Sequence, residues 1–407
     1  MDLFLKNFHV ISFLIIFAAE LLPKTNAIMY KRDLQQVIKD HCFKGKAVLL
    51  IGARQVGKTT LLRNMMQEEN LADVLFINCD EPQNVSLLSK RNLREIQTLI
   101  GNKKFIIIDE AQKVDNIGLT IKLMVDNLKD IQVIATGSSA FELRNRLNEP
   151  LTGRKFEYQM FPISTNEILQ SEGLMDVNRL FEQRLIYGSY PDILTHSGDA
   201  RDLLTTLTDS YLYKDILSSD ALRKPDLLDK LLRALAYQVG SEVSYTELAQ
   251  TIGSDPKTVE RYIELLEKCY IIFRLNGLSR NLRNELKRAK KVYFYDNGVR
   301  NAVIQQFAPI DMRNDMGALW ENFFISERMK FNHYTRKHCN MYFWRTNSQQ
   351  EIDYIEESDG ALTAFEMKWN QKKANVRFPV SFLDAYDVKE TVVITPDNYL
   401  DWVTSNP

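Results

Sequence analysis

The sequence predicts an α/β fold: a parallel sheet covered on both faces, then a helical segment, then a second and smaller α/β region. Three observations predict it. Between Lys46 and Ser164, four short apolar runs ("AVLLIGA", "DVLFINC", "KFIIIDE" and "IQVIATG") alternate with segments of helical periodicity. Near-continuous Val, Ile, Leu and Phe strands separated by helices are the pattern of a parallel sheet buried on both sides. The first run leads through "GARQVGKT" into "TTLLRNMMQEE", where Leu61, Leu62 and Met65 fall at helical spacing. A Gly-rich loop therefore sits between a strand and a helix. The third run ends in two acids, Asp109 and Glu110, at the carboxyl edge where ligands of open α/β sheets bind.

At 407 residues the chain is long enough for two to four domains. Hydrophobic content of 45% and charged content of 26% are those of an ordinary globular protein. A net charge of −1 excludes a molecule that is basic all over, so any nucleic-acid surface must be local. Four cysteines, at 42, 79, 269 and 339, form no CxxC pair and no metal-ligand spacing. They read as free thiols in a reducing, cytoplasmic compartment. Residues 1–28 stand apart as a signal-like or mis-assigned extension. Their apolar run from Val10 to Ala19 is short for a bilayer, and no membrane span is expected. A start at Met29 is favoured, because "MYKRDLQQVIKDH" begins an amphipathic helix that runs straight into the first strand; a buried extra helix is the remaining reading of the run. The rest divides into a nucleotide-binding core (29–165), a helical lid with a break at "YGSYPD" (166–222), a third region (223–300) and a tail (301–407).

Gly52, Ala53, Arg54, Gln55, Val56, Gly57, Lys58 and Thr59 match the pattern G-x-x-x-x-G-K-[ST], and Thr60 follows. Such a P-loop wraps nucleotide phosphates with backbone N–H groups. Lys58 would reach the terminal phosphates and Thr59 would bind Mg²⁺, with the following helix adding its dipole. Asp109 is placed to hold the Mg²⁺ shell, and Glu110 to orient or activate the attacking water. ATP and Mg²⁺ are the ligands this pairing calls for.

Seven pieces in this order, "LLIGARQVGKTTLL", "FIIIDEAQKV", "VIATGSSAFEL", "LTGRKFEYQMFPIS", "YGSYPDIL", "VYFYDNGVRNAVI" and "ALWENFF…FWRTNSQQEIDYI…AFEMKW", resemble the bacterial and archaeal AAA-type ATPases that carry a C-terminal restriction-endonuclease-like domain. The likeness covers residues 30 to 380. It implies an AAA-type ATPase with a polar sensor after the fourth strand. Ser138 matches that sensor, with Thr136 and Ser139 as close alternatives. It also implies that Arg154 meets the γ-phosphate, in cis or from a neighbouring subunit of a homo-oligomer; a surface salt bridge is the plain alternative.

"VSYTELAQTIGSDPKTVERYIELLEKCYIIFRL" reads as a helix-turn-helix. Ser244 to Glu247 is a capping box, Gly253 sits in the turn, and Asp255 caps the next helix with Pro256 at its first position. Val259, Tyr262, Ile263 and Leu266 form the apolar stripe. A strand, a basic loop and a strand follow, the layout of a winged helix. Arg280, Arg283, Lys287, Arg288, Lys290 and Lys291 would line the wing and contact DNA phosphates. The alternative is a domain that docks on protein.

In the tail, Glu321 lies in a helix, Asp353 in a strand pair, and Glu366 and Lys368 on one face of a strand. The set resembles the PD-(D/E)xK nuclease core. The resemblance implies a second divalent metal on Asp353 and Glu366, with Glu321 as a further group and Lys368 assisting attack on a phosphodiester. An inactive scaffold of the same fold is the competing reading. The combined expectation is ATP turnover coupled to a DNA-associated tail; the alternative is a nucleotide-switched protein-interaction module.

Overall fold

The computed structural model describes residues 29–67, 73–138, 151–217, 224–279 and 290–405. The expectations for residues 1–28, Ser139, Arg280, Arg283, Lys287 and Arg288 lie outside the described residues.

The chain opens with helix α1 (Leu34–His41), strand β1 (Ala47–Gly52) and helix α2 (Lys58–Gln67). Then come β2 (Val74–Asn78), α3 (Pro82–Ser89), α4 (Leu93–Ile100), β3 (Phe105–Asp109), α5 (Ile117–Asn127), β4 (Gln132–Gly137) and β5 (Lys155–Met160). The five strands form one sheet in the order β2-β3-β4-β1-β5, and every pairing is parallel. Every residue of β1, β3 and β4 is buried, as two covered faces require. The four apolar runs are β1 to β4. The fifth strand, "KFEYQM", is half-polar and does not announce itself by composition; it takes the place beside β1.

The lid comprises α6 (Thr165–Glu172), α7 (Leu174–Tyr187), α8 (Pro191–Thr195) and α9 (Ala200–Leu217). Ser164 and Glu167 close a capping box at the start of α6. The next region has α10 (Pro225–Tyr237), β6 (Glu242–Val243), α11 (Tyr245–Ile252), α12 (Pro256–Lys268), β7 (Ile272–Gly277) and β8 (Lys290–Phe294). The caps fall where the sequence places them. The hydroxyl of Ser244 accepts from the Glu247 N–H, Asp255 accepts from the Thr258 N–H, and Gly253 ends α11 in the left-handed region. Val259, Tyr262, Ile263 and Leu266 are all buried.

The tail contributes α13 (Asn297–Val303), α14 (Met316–Tyr334), β9 (Asn340–Arg345), β10 (Glu351–Ser358), β11 (Ala361–Met367), α15 (Val380–Leu383), β12 (Val388–Ile394) and α16 (Leu400–Val403). One sheet spans the boundary expected at residue 300. One seven-stranded sheet runs β12-β11-β10-β9-β7-β8-β6, and β7 pairs in parallel with β9 through Asn276 to Tyr342 and Gly277 to Phe343. Joining the two regions removes the unpaired edge that each would otherwise present.

Two of the sequence pieces prove to be one interlock. The Asp296 carboxylate caps α13 and accepts from the Ser189 N–H at 2.7 Å. A Cβ on Gly188 would lie 1.9 Å from the Asp296 Oδ1, and one on Gly298 would lie 2.1 Å from the Tyr187 carbonyl. Asn297 and Asn301 donate to the Leu185 and Ile186 carbonyls that end α7. "YGSYPD" and "YDNGVRNAV" are thus the two halves of a lid-to-tail joint. The first sheet also meets α14, at β5 and the residue after it: the Gln159 N–H donates to His333 Nε2 at 3.2 Å and the Phe161 N–H donates to the Tyr334 hydroxyl at 3.0 Å.

Candidate functional site

The carboxyl edge of the first sheet gathers the residues singled out there. The loop from Gly52 to Gly57 lies between β1 and α2. Gly52 is dictated by packing, since a Cβ there would sit 2.2 Å from the Met160 carbonyl oxygen. Gly57 has a φ of +96°, which L side chains rarely adopt. Lys58 is buried at the first turn of α2, and its ammonium donates to the Gly52 carbonyl at 2.9 Å and the Ala53 carbonyl at 2.7 Å. Arg54 and Gln55 stand further out on the loop, and Thr60 is exposed on α2.

Thr59 Oγ1 donates to Asp109 Oδ2 at 3.0 Å. Thr136 donates to the other oxygen of Asp109 and accepts from the Glu110 N–H at 3.2 Å. A hydroxyl and a carboxylate side by side at a helix N-terminus are the donor set that suits Mg²⁺, which keeps several waters and takes one or two carboxylates. Thr59 and Asp109 would hold it. Ser138 is buried at the end of β4, with its Oγ 3.4 Å from Glu110 Oε2. The two alternatives of the sensor expectation therefore separate: Thr136 faces Asp109, and Ser138 faces Glu110. Cys79, beside this edge, has its thiol pushed up to about 12 by burial and by the Asp109 charge, so it is no nucleophile there.

Two residues here have no counterpart in the sequence reading. Gln112, inside the quoted "DEAQ", is buried and donates to both Glu110 and Ser138. Arg32 precedes the P-loop by about twenty residues yet clasps it. Its guanidinium donates to the Val56 carbonyl at 2.7 Å, the Phe161 carbonyl at 2.6 Å and Glu167 at 2.9 Å. Neither carries a local signal: Arg32 stands between Lys31 and Asp33, and Gln112 between Ala111 and Lys113. Beside the loop, a cavity of ≈ 90 Å³ is lined by Met29, Tyr30, Gly57, Leu61, Ile163 and Pro191 among others.

Arg154 is not brought to this edge. It precedes β5 and pairs with Asp126 at 2.7 Å, partly exposed. The P-loop lies at the opposite end of that strand, about 20 Å away at a strand's rise per residue. Within its own chain Arg154 therefore stands at the edge of the sheet opposite the P-loop, away from the place the in-cis expectation gives it.

The second cluster lies in the tail, and the structure brings its four predicted members together. Lys368 Nζ is 2.8 Å from Glu366 and 3.9 Å from Asp353. Asp353 also accepts from the Met367 N–H at 2.9 Å. Glu321 accepts from the Tyr293 hydroxyl at 2.5 Å. Burial, with Asp353 adding to it, pushes both Glu321 and Glu366 up to about 7, partly offset by Lys291 and Lys368 respectively. Lys291 supplies the correction: it is 2% exposed, not on a solvent-facing wing. Its ammonium bridges Glu321 at 3.2 Å and Glu351 at 2.6 Å. Burial alone would lower its pKa; Glu321, Asp353 and Glu351 reverse that and hold it charged. Lys290, next to it, stays partly exposed over the Tyr245 ring at 5.8 Å. Among the described residues, no three His, Cys, Asp or Glu side chains are arranged to hold a metal ion, and no helix is long and apolar enough to cross a membrane.

Comparison with known proteins assigns a family to the first segment and none of known function to the rest. Residues 44–169 match a family described as an AAA domain; residues 178–309 and 316–405 each match a domain of unknown function. The first segment is a P-loop ATPase domain of the AAA type. An uncharacterized protein of Mycobacterium tuberculosis is 24% identical over 349 residues, 84% of this chain and 74% of that protein. An uncharacterized protein of Haemophilus influenzae is 24% identical over 295 residues, 67% of this chain and 72% of that one. Among solved structures, a Walker-type ATPase of Pyrococcus abyssi is similar with a TM-score of 0.49 and 17% identity, covering 70% of this chain and 99% of that one. The Orc1 protein of Aeropyrum pernix in complex with DNA is similar with a TM-score of 0.36 and 12% identity, covering 70% of this chain and 95% of that one.

Proposed function

We propose that this chain is a Mg²⁺-dependent ATPase whose nucleotide state is passed to the lid and tail. The observation that carries the reading is the shared hydrogen-bond frame of Thr59, Asp109 and Thr136 beside the buried Lys58. Lys58 would leave the two loop carbonyls for the β- and γ-phosphates. The apolar cavity at Tyr30, Leu61 and Pro191 suits a purine base. Thr59 and Asp109 would hold Mg²⁺, which when bound supplies charge neutralisation on the phosphates. Glu110 would accept the proton of the attacking water. Arg154 could serve only the nucleotide of a neighbouring subunit.

The helices α10 to α12 with β6 to β8 suit a winged helix, and α14 with β9 to β12 suits a nuclease-like tail. DNA is the partner that the basic segment 280–290 would take. A protein partner is the second reading, and α12 favours it: outward Lys257, Arg261 and Lys268 are interleaved with outward Glu260 and Glu264, while Glu267 is paired with Arg274. The lysine-bridged carboxylates favour a scaffold role for the tail over metal-dependent cleavage.

Two substitutions test the ATPase reading. Lys58→Ala should weaken ATP binding on calorimetry by about 10- to 100-fold, the loss of one or two charge-assisted hydrogen bonds. Glu110→Gln should bind ATP normally and hydrolyse it at least about 100-fold more slowly. Native ATP affinity in the first, or native turnover in the second, would overturn the corresponding assignment.

A further inference from the structure

The turn after β3 shows a residue whose side chain serves no packing purpose that an apolar residue would not serve better. β3 ends at Asp109, and Glu110 then takes a left-handed backbone with φ 52° and ψ 42°. A single 3₁₀ turn, Ala111–Lys113, follows. The turn is closed by the Lys113 N–H on the Glu110 carbonyl at 3.0 Å, and Lys113 is tied to Asp80 across the edge. In that tight turn Gln112 comes back alongside Glu110. Its neighbours Ala111 and Val114 are fully buried, and Gln112 itself is 4% exposed. Burying an amide in such company is costly unless it is hydrogen-bonded. Gln112 Nε2 donates to Glu110 Oε2 at 2.5 Å and to Ser138 Oγ at 3.1 Å, and Ser138 Oγ lies 3.4 Å from the same carboxylate oxygen.

We infer that Gln112 is the positioning residue for Glu110: it clamps one carboxylate oxygen so that the other is presented to water. The inference rests on the proposed reading of Glu110 as the proton acceptor. An ionised carboxylate offers about four acceptor sites on two oxygens. The clamp uses sites on Oε2 and leaves Oε1 unburdened by it. Without the clamp the side chain would sample rotamers, and the base would be in place for only part of the time. In the step served, the water oxygen bonds to the γ-phosphorus as its proton passes to Glu110 Oε1. The bond from phosphorus to the β–γ bridging oxygen breaks, and its electron pair leaves on ADP. Gln112 touches none of the reacting atoms. Because Ser138 accepts from the same amide, the sensor position and the base are parts of one triangle.

The test uses the full chain with Mg²⁺ and ATP. Gln112→Met keeps length and burial and removes the donor. Its kcat should fall about 10- to 100-fold while the KM and calorimetric affinity for ATP stay within about twofold. In a Glu110→Gln background the same change should cost nothing further, because there is no base left to position. Ser138→Ala should give a smaller loss that is not additive with Gln112→Met, and it serves as the probe if the methionine variant does not fold. A native kcat in Gln112→Met, a fall in ATP affinity that matches the fall in kcat, or full additivity with Glu110→Gln would overturn the inference. Native turnover in Glu110→Gln would overturn both it and the reading beneath it. A dead Glu110→Gln beside a native Gln112→Met would overturn the inference alone.

Discussion

Acidification should loosen the joint between the ATPase sheet and α14, and one side chain sets the size of the effect. His333 accepts a hydrogen bond from the Gln159 N–H at 3.2 Å through Nε2, so the ring must be unprotonated there. Burial lowers its pKa from 6.5 to about 4, and the nearby Arg336 and His338 push the same way. The free ring in the unfolded chain keeps its ordinary value near 6.5. Between those two values the unfolded state binds more protons than the folded one, so stability falls as pH falls. The contribution is whole above about 6.5 and is lost as the pH drops through about 4. Linkage gives a loss of about 2 kcal/mol on going from pH 7.5 to pH 5.0, and about 3 kcal/mol in all. Other buried groups titrate in this window with the opposite sign. Glu321 and Glu366, raised to about 7, contribute stability that is full below about 4.5 and lost as pH rises through 7. The assay must therefore be a difference. Urea unfolding of the native chain and of His333→Gln, whose amide oxygen can accept the same N–H, should be compared at both pH values. The native chain should lose about 2 kcal/mol more than the variant on acidification. Identical pH dependence in the two would refute the argument that a neutral His333 holds the joint.

Two further outcomes follow from buried contacts. Lys291→Met should cost about 3 kcal/mol in urea unfolding, because it leaves Glu321 and Glu351 without their shared cation, whereas Lys290→Ala should cost little. Equal, small effects of the two would return Lys291 to the surface. Gly188→Ala should destabilise by at least about 3 kcal/mol, since its Cβ would strike Asp296 at a φ of +77°; a loss under about 1 kcal/mol, read from the same melts, would mean that the lid-to-tail joint yields easily.

What was legible in the sequence is what depends on near neighbours along the chain. β1 to β4 could be read because a strand covered on both faces must be apolar at every position, and "FIIID" can hardly be anything else. The caps at Ser244 and Asp255 could be read because the capping side chain and its N–H are three residues apart. The P-loop could be read for the same reason: one short segment makes the whole cradle. β5 could not, because its partners are β1 on one side and the side chains of α14 on the other, and neither leaves a period in "KFEYQM".

The functional misreadings share one cause, seen most plainly at Lys291. In "ELKRAKKVYFYD" it is the last of a run of cations, and a run of cations at the start of a strand reads as a solvated face. Strand alternation sends Lys290 and Lys291 to opposite faces, so at most one of them can share the surface with the run. Which one turns inward is decided by carboxylates 30 and 60 residues further on, Glu321 and Glu351. Arg32 and Gln112 are the same case. Each is a polar residue whose partners come from other elements: Val56, Phe161 and Glu167 for the first, Ser138 for the second. A buried polar group is tolerable only where such partners converge. Its burial therefore becomes intelligible once the sheet order is known, and in this chain the burial of Arg32, Gln112 and Lys291 marks where the loop, Glu110 and the tail cluster are held.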